Sequence, residues 1–143
     1  KTEKLIESLD NETALGFDKK TIYQEFAGRV KSLRTEIVTT LRDLKHKGKT
    51  VYAFGAPVKG SVLINYCGLD EELLPFAAEV NERKIGTYIP GTSIEVVSEE
   101  VIGEPDYYLV LSWNFIDEFK KSERFLDGSR KFITPIPSVQ FHE

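Results

Sequence analysis

Cysteine is nearly missing from this chain: Cys67 is the only one in 143 residues. A lone cysteine excludes an internal disulfide and a thiolate zinc cluster, and it fits a reducing compartment such as the cytoplasm. Histidine is scarce too. His46 and His142 stand far apart, so there is no local His-rich metal motif. No apolar run approaches the ~18 residues a membrane helix needs, and Lys1 to Glu12 is too polar for a secretory signal. A basic surplus is also lacking. The net charge of −4 argues against a nucleic-acid partner. With 41% hydrophobic and 29% charged residues, what remains is an ordinary soluble composition, long enough for one domain with a real core. The chain starts at Lys1 and not at Met, and so reads as a piece of something longer.

Two sorts of pattern follow along the chain. Residues 1–17 read as a linker or the end of a preceding domain, with a short apolar hint at Leu5, Ile6 and Leu9. Residues 18–143 read as one α/β domain. It opens with a long amphipathic helix, because Phe26, Val30, Leu33, Ile37, Leu41 and Leu44 fall on one helical face. Asp18 is a plausible N-cap, and Lys45-His46-Lys47 before Gly48 is a stop signal. Strands are expected at Thr50–Phe54, Pro75–Val80, Ser93–Val97, Tyr107–Leu111 and Lys131–Thr134, with helices at Ser61–Cys67 and Asn114–Arg124. Strands alternating with helices imply a mostly parallel, Rossmann-like sheet with flanking helices.

The turn "FGAPVKGS" after the first strand has the frame of a phosphate loop. It departs from the triphosphate pattern, because Lys59 precedes the second glycine, Gly60, where the pattern needs it to follow. It departs from the dinucleotide fingerprint as well. Pro57 stands where a middle glycine lets the backbone approach a pyrophosphate. The tight turn at Gly55 and the close-packing glycine at Gly60 survive. So does Glu79, at the second strand's end, where a ribose-binding acid would stand. This reads equally as a sheet-to-helix turn with no ligand. Lys59 favours an anion, since a cation near a helix N-terminus opposes the helix dipole unless something negative joins it. A plain solvated lysine is the alternative.

In an open parallel sheet, ligands lie beyond the C-terminal strand ends. Those ends are Gly55–Lys59, Glu79–Lys84, Ser112–Asn114 and Thr134–Pro137. Asn81 and Lys84 are donors there, in a loop that reads equally as a charged, solvated one. Trp113 reads more simply as a core cap, and Asn114 as a helix cap. Asn65, within the short helix, needs a partner if buried. Catalytic equipment is thin. His46 is explained by the dipole of its helix end, Cys67 as a small core residue, and no nucleophile elbow is present. Residue by residue, the domain binds better than it catalyses.

Three stretches, "FGAPVKGSVLINYCGL", "EVNERKIGTYIPGTSIEV" and "PDYYLVLSWNFIDEF", carry a resemblance. They are similar to the C-terminal domain of the sugar C-methyltransferases. That family reads Gly-Ala-x-x-Lys-Gly in the first loop, Lys-x-Gly-x-x-x-Pro-Gly after the second strand, and Pro-Asp then Trp-Asn at the fourth. Here the motifs fall on Gly55-Ala56 with Lys59-Gly60, on Lys84, Gly86 and Pro90-Gly91, and on Pro105-Asp106 with Trp113-Asn114.

The resemblance implies a multidomain enzyme that uses S-adenosylmethionine to methylate a nucleotide-linked deoxysugar or a related small molecule. Preceding domains of the same chain would bind zinc and the methyl donor, and would carry the catalytic residues. This domain would bind neither cofactor nor metal, would not methylate alone, and would hold substrate through Gly55, Ala56, Lys59, Gly60, Asn81, Lys84, Trp113 and Asn114. A 2′-deoxyribose gives Glu79 little to hold, so it would orient the loop or a neighbouring lysine instead. Two other readings stand beside this one: an interaction domain with a vestigial crevice, whose long helix packs on a partner, and an atypical NAD-binding domain.

Overall fold

The structure is a computed structural model that describes residues 2–100 and 102–143. The chain forms two compact units, Lys1–Ser32 and Leu33–Glu143. In the first, the polar lead-in is a helix, α1 (Glu3–Ala14), with no buried residue. Leu5, Ile6 and Leu9 on α1, and Phe17, Tyr23 and Phe26 after it, stay exposed.

The long helix, α2, runs from Lys20 to His46. Its apolar stripe divides: Ile37, Leu41 and Leu44 are buried, whereas Phe26 is 59% exposed. The expected stop holds, with Gly48 at φ 70°. The amide of Lys49 closes the end on the Leu44 carbonyl at 2.9 Å.

The second unit is built on six strands: β1 (Val51–Phe54), β2 (Phe76–Glu79), β3 (Glu95–Ser98), β4 (Tyr107–Val110), β5 (Phe132–Thr134) and β6 (Gln140–His142). Their order is β3-β2-β1-β4-β5-β6. All neighbours are parallel except β5 and β6. The expected α/β, mostly parallel sheet is therefore the fold, and it changes direction between β1 and β4.

Alternating strand residues face two apolar layers, the pattern of a sheet buried on both sides. Val51, Ala53, Ala77, Val96, Leu109 and Ile133 pack with Ile37, Leu41 and Leu44 of α2 and with Leu63, Ile64 and Cys67 of α3 (Val58–Cys67). Burial pushes the Cys67 thiol above its ordinary value, as befits a core residue. The opposite layer is aromatic. Phe132 stacks on Phe125 at 5.6 Å and meets Phe54 at 5.3 Å and Phe119 at 6.2 Å. Rings held this way add to their burial energy.

That second layer is covered by short pieces. The apolar spacing predicts one helix over Asn114–Arg124. Instead a 3-10 turn (Trp113–Phe115) is followed by α4 (Ile116–Phe119) and α5 (Glu123–Leu126). Ser122 makes the break. Its hydroxyl donates to the Phe119 carbonyl at 2.7 Å, and its own backbone is extended. Strand β6 has no counterpart in the sequence reading, because Pro135 and Pro137 read as the end of regular structure. The chain instead turns back after β5 and pairs Ile133 with Phe141. No helix among the described residues is long and apolar enough to cross a membrane.

Asp106, of the Pro-Asp pair, fastens the starts of β1 and β4. It accepts from Lys49 Nζ at 2.8 Å, the Thr50 amide at 2.8 Å and the Thr50 hydroxyl at 3.1 Å. The bond from Lys49 comes first among the causes that hold its carboxyl down at about 2. An unfolded aspartate titrates at ~3.9, so this contribution is present above that pH and is lost as pH falls toward the folded value. An Asp106→Asn variant should be less stable than the parent near neutrality, and the gap should narrow on acidification from pH ~4 to ~2. Urea denaturation across that range checks it.

Candidate functional site

An open crevice of about 290 Å³ lies at the C-terminal ends of β1, β2 and β4, where the sheet changes direction. This is where open α/β sheets place their ligands. Its walls are Phe54, Ala78 and Phe119, and its polar lining is Glu79, Lys84, Glu99 and Ser112. Gly55, Ala56 and Pro57 form one lip.

The lip is shaped by its glycine and clamped by an acid. Gly55 sits at φ 78°, a conformation that disfavours a side chain. Its amide donates to the Ala78 carbonyl at 2.8 Å. The next amide, Ala56, donates to Glu79 Oε2 at 3.1 Å. Lys84 Nζ donates to the same oxygen and to the Ala56 carbonyl, each at 3.1 Å. The other oxygen, Oε1, accepts from the amides of Val80 at 3.0 Å and Asn81 at 3.2 Å. A carboxylate offers about four acceptor sites, and here four donors fill them. Burial pushes the Glu79 carboxyl up. The amides of Asn81 and Ala56, then Lys84 and Val80, outweigh that and hold it below its ordinary value.

Glu79 therefore stands where a ribose-binding acid would stand but has no acceptor left for ribose hydroxyls. It orients both the loop and the lysine. Of the residues proposed from sequence, Gly55, Ala56 and Lys84 line the crevice. Gly60 lies behind the lip, within α3. A side chain there would meet Leu111 Cβ at 2.7 Å, so glycine lets α3 approach the end of β4. Asn81 uses its side-chain oxygen to accept the Arg83 amide at 3.1 Å.

Lys59, Trp113 and Asn114 form a separate group outside the crevice lining. Lys59 Nζ lies 4.2 Å from the centre of the Trp113 ring and bonds the Asn114 side-chain oxygen. Asn65 acts within the scaffold. Its amide nitrogen donates to the Ser61 and Pro90 carbonyls, each at 2.8 Å, and ties α3 to the Pro90-Gly91 turn. Among the described residues, no group of three or more His, Cys, Asp or Glu could hold a metal.

Sequence reasoning missed Glu99 and the residue that holds it. Arg130, 4% exposed, donates to Glu99 Oε1 at 2.7 Å and to Glu104 Oε1 at 2.8 Å. Its guanidinium carbon lies 4.9 Å from the Tyr108 ring centre and 5.4 Å from that of Phe54. Burial would lower the guanidinium's proton affinity, but the two glutamates outweigh it. The partners are 31 and 26 residues away in sequence, and nothing local marks them.

Truncating Glu79 leaves the Ala56 amide and Lys84 without their common acceptor. Glu79→Ala should lower stability by about 1–3 kcal/mol in urea denaturation. It should also accelerate hydrogen exchange at the Ala56 amide, and Glu79→Gln should do less of both.

Residues 1–137 match the model of a family described as "C-methyltransferase C-terminal domain". The chain is also 39% identical, over 134 residues, to the C-methyltransferase NovU of Streptomyces niveus. That alignment takes in 92% of this chain and 32% of NovU, so the chain spans about a third of that relative's length. The crevice at the turn of the sheet, with its ribose position closed by the protein's own lysine and amides, is thus the crevice of a C-methyltransferase C-terminal domain, the family to which this chain belongs.

Proposed function

We propose that this chain is the substrate-side domain of an S-adenosylmethionine-dependent C-methyltransferase acting on a nucleotide-linked sugar or a related small molecule. The observation that carries this reading is the filled carboxylate of Glu79. The domain keeps the frame and crevice of a nucleotide-binding fold, yet the acid that would grip a cofactor ribose is occupied. Pro57 contributes no amide, and the amide of Ala56 is already bonded. These residues do not fit S-adenosylmethionine or a nicotinamide cofactor. In this reading the methyl donor and the catalytic residues belong to other domains, and the fragment alone does not methylate.

The substrate's diphosphate is met by Lys59 and by the first amides of α3, those of Val58 and Lys59. These have no acceptor among the described residues. Trp113 and Asn114 hold the Lys59 ammonium in place. Within the first unit, the exposed apolar side chains of α1, Phe17, Tyr23 and Phe26 suit contact with the preceding domains.

Replacing Lys59 by alanine should weaken nucleotide-sugar binding by the enzyme about tenfold, the worth of one charge-assisted hydrogen bond. Affinity for the methyl donor should not change. Isothermal titration with each ligand in turn checks this, and an equal loss for both would sink the division of roles.

A further inference from the structure

Strand β2 does not pass straight into β3. Residues 80–94 between them form an arm, with Lys84 near its root and the Pro90-Gly91 turn at its tip. The arm lies along β3, the strand that ends the sheet. The Gly86 amide donates to the Val96 carbonyl at 2.8 Å, the Val96 amide to the Thr87 carbonyl at 2.8 Å, and the Ile89 amide to the Ile94 carbonyl at 2.9 Å. At the tip, the Thr92 hydroxyl donates to the Ile89 carbonyl at 2.9 Å. These bonds join the arm to itself and to the strand that follows it. They do not tie it to α3, the helix that starts beyond the lip.

Asn65 makes that tie. Its side-chain amide nitrogen carries two protons, and both are used. One goes to the Ser61 carbonyl, a turn earlier in α3, and the other to the Pro90 carbonyl, each at 2.8 Å. The first bond holds the amide in one orientation on its helix, and the second reaches the arm. Gly91 completes the fit. It lies at φ 82°, and a side chain there would meet Asn65 Oδ1 at 2.4 Å. The helix beneath Asn65 is well anchored, with Gly60, Leu63, Ile64 and Cys67 buried. Ile89 and Ile94, on either side of the turn, are buried in the same apolar layer as Leu63, Ile64 and Cys67. That packing keeps the arm on the domain, but apolar contact is non-directional. The hydrogen bond sets where the tip sits.

Asn65 is exposed and is not part of the crevice lining, so any effect it has on a ligand there passes through the arm. Lys59 belongs to α3 and Lys84 to the arm, and Asn65 is the bond between those two elements. We infer that Asn65 is a positioning residue for substrate binding, one that sets the arm against α3 and thereby places Lys84 at the crevice. This rests on the nucleotide-sugar reading above.

Isothermal titration of the enzyme with dTDP-glucose and with S-adenosylmethionine tests it. Asn65→Ala should raise the Kd for dTDP-glucose about fivefold, the worth of one net hydrogen bond. Affinity for S-adenosylmethionine should not change. Asn65→Gln, which keeps an amide on that side of α3, should recover part of the loss. In a Lys84→Met background Asn65→Ala should add nothing, because the group it places is gone. Gly91→Ala drives a methyl group against the same amide and should also weaken dTDP-glucose binding. The double variant Asn65→Ala with Gly91→Ala should bind no more weakly than Gly91→Ala alone.

A parent-like Kd in Asn65→Ala makes Asn65 a scaffold bond only and overturns the inference. So does a loss that adds in full to that of Lys84→Met, or an equal loss of S-adenosylmethionine affinity. In the first two cases dTDP-glucose still binds the parent, and the nucleotide-sugar reading stands. If dTDP-glucose does not bind the parent enzyme, both fall.

Discussion

Glu79 stands where three pieces of backbone meet: the end of β2, the lip after β1, and the loop that brings Lys84 back over it. Each contributes a donor to its carboxylate. Remove that convergence and the lip loses the group that fixes its backbone, Lys84 loses its orientation, and the crevice loses one side. In a dinucleotide-binding domain the same position turns its oxygens outward to a ligand. Here the oxygens turn inward. A single internal use of an acid changes the frame from one that offers its oxygens to a ribose to one that braces its own lip.

The two lysines near the lip divide along the same line. Lys84 is tied to the Ala56 carbonyl and to Glu79 and lines the crevice. Lys59 leans on an indole ring at the start of α3, away from the crevice lining. A charge held against a ring face and a side-chain amide keeps its attraction for an anion while losing part of its freedom, which lowers the entropy lost on binding. The close approach of Gly60 to Leu111 sets where α3 begins, and therefore where its free amides stand.

Much of the fold is legible because its signals are local. β1, α3 and β4 follow from apolar runs bounded by glycines, and the end of α2 follows from Lys45, His46 and Gly48. The misreadings have local causes too. Ser122 competes for a helix carbonyl in a stretch whose apolar spacing is helical, and Pro135 and Pro137 hide a strand that returns antiparallel. α1 is marked in the sequence only by Leu5, Ile6 and Leu9, which stay exposed. The site is legible in part. Gly55, Ala56 and Lys84 are placed by the rule of strand ends. Glu79 is placed by its distance from the loop, but only geometry reveals how many donors fill it. Glu99 and Arg130 are illegible, since a buried charge paired with residues 31 and 26 positions away leaves no periodic trace.

The two faces of the sheet are unequally dressed. One is covered by α2 and α3, the other by two helices of four residues each. Helices that short have almost no stability of their own and persist through the rings packed beneath them. Phe119, one wall of the crevice, belongs to that thin cover. The segment from Trp113 to Leu126 is therefore held to the sheet chiefly by Phe119 and Phe125, packed on Phe54 and Phe132. A molecule seated against Phe119 would thus add its contacts to the same rings that keep this thin cover in place.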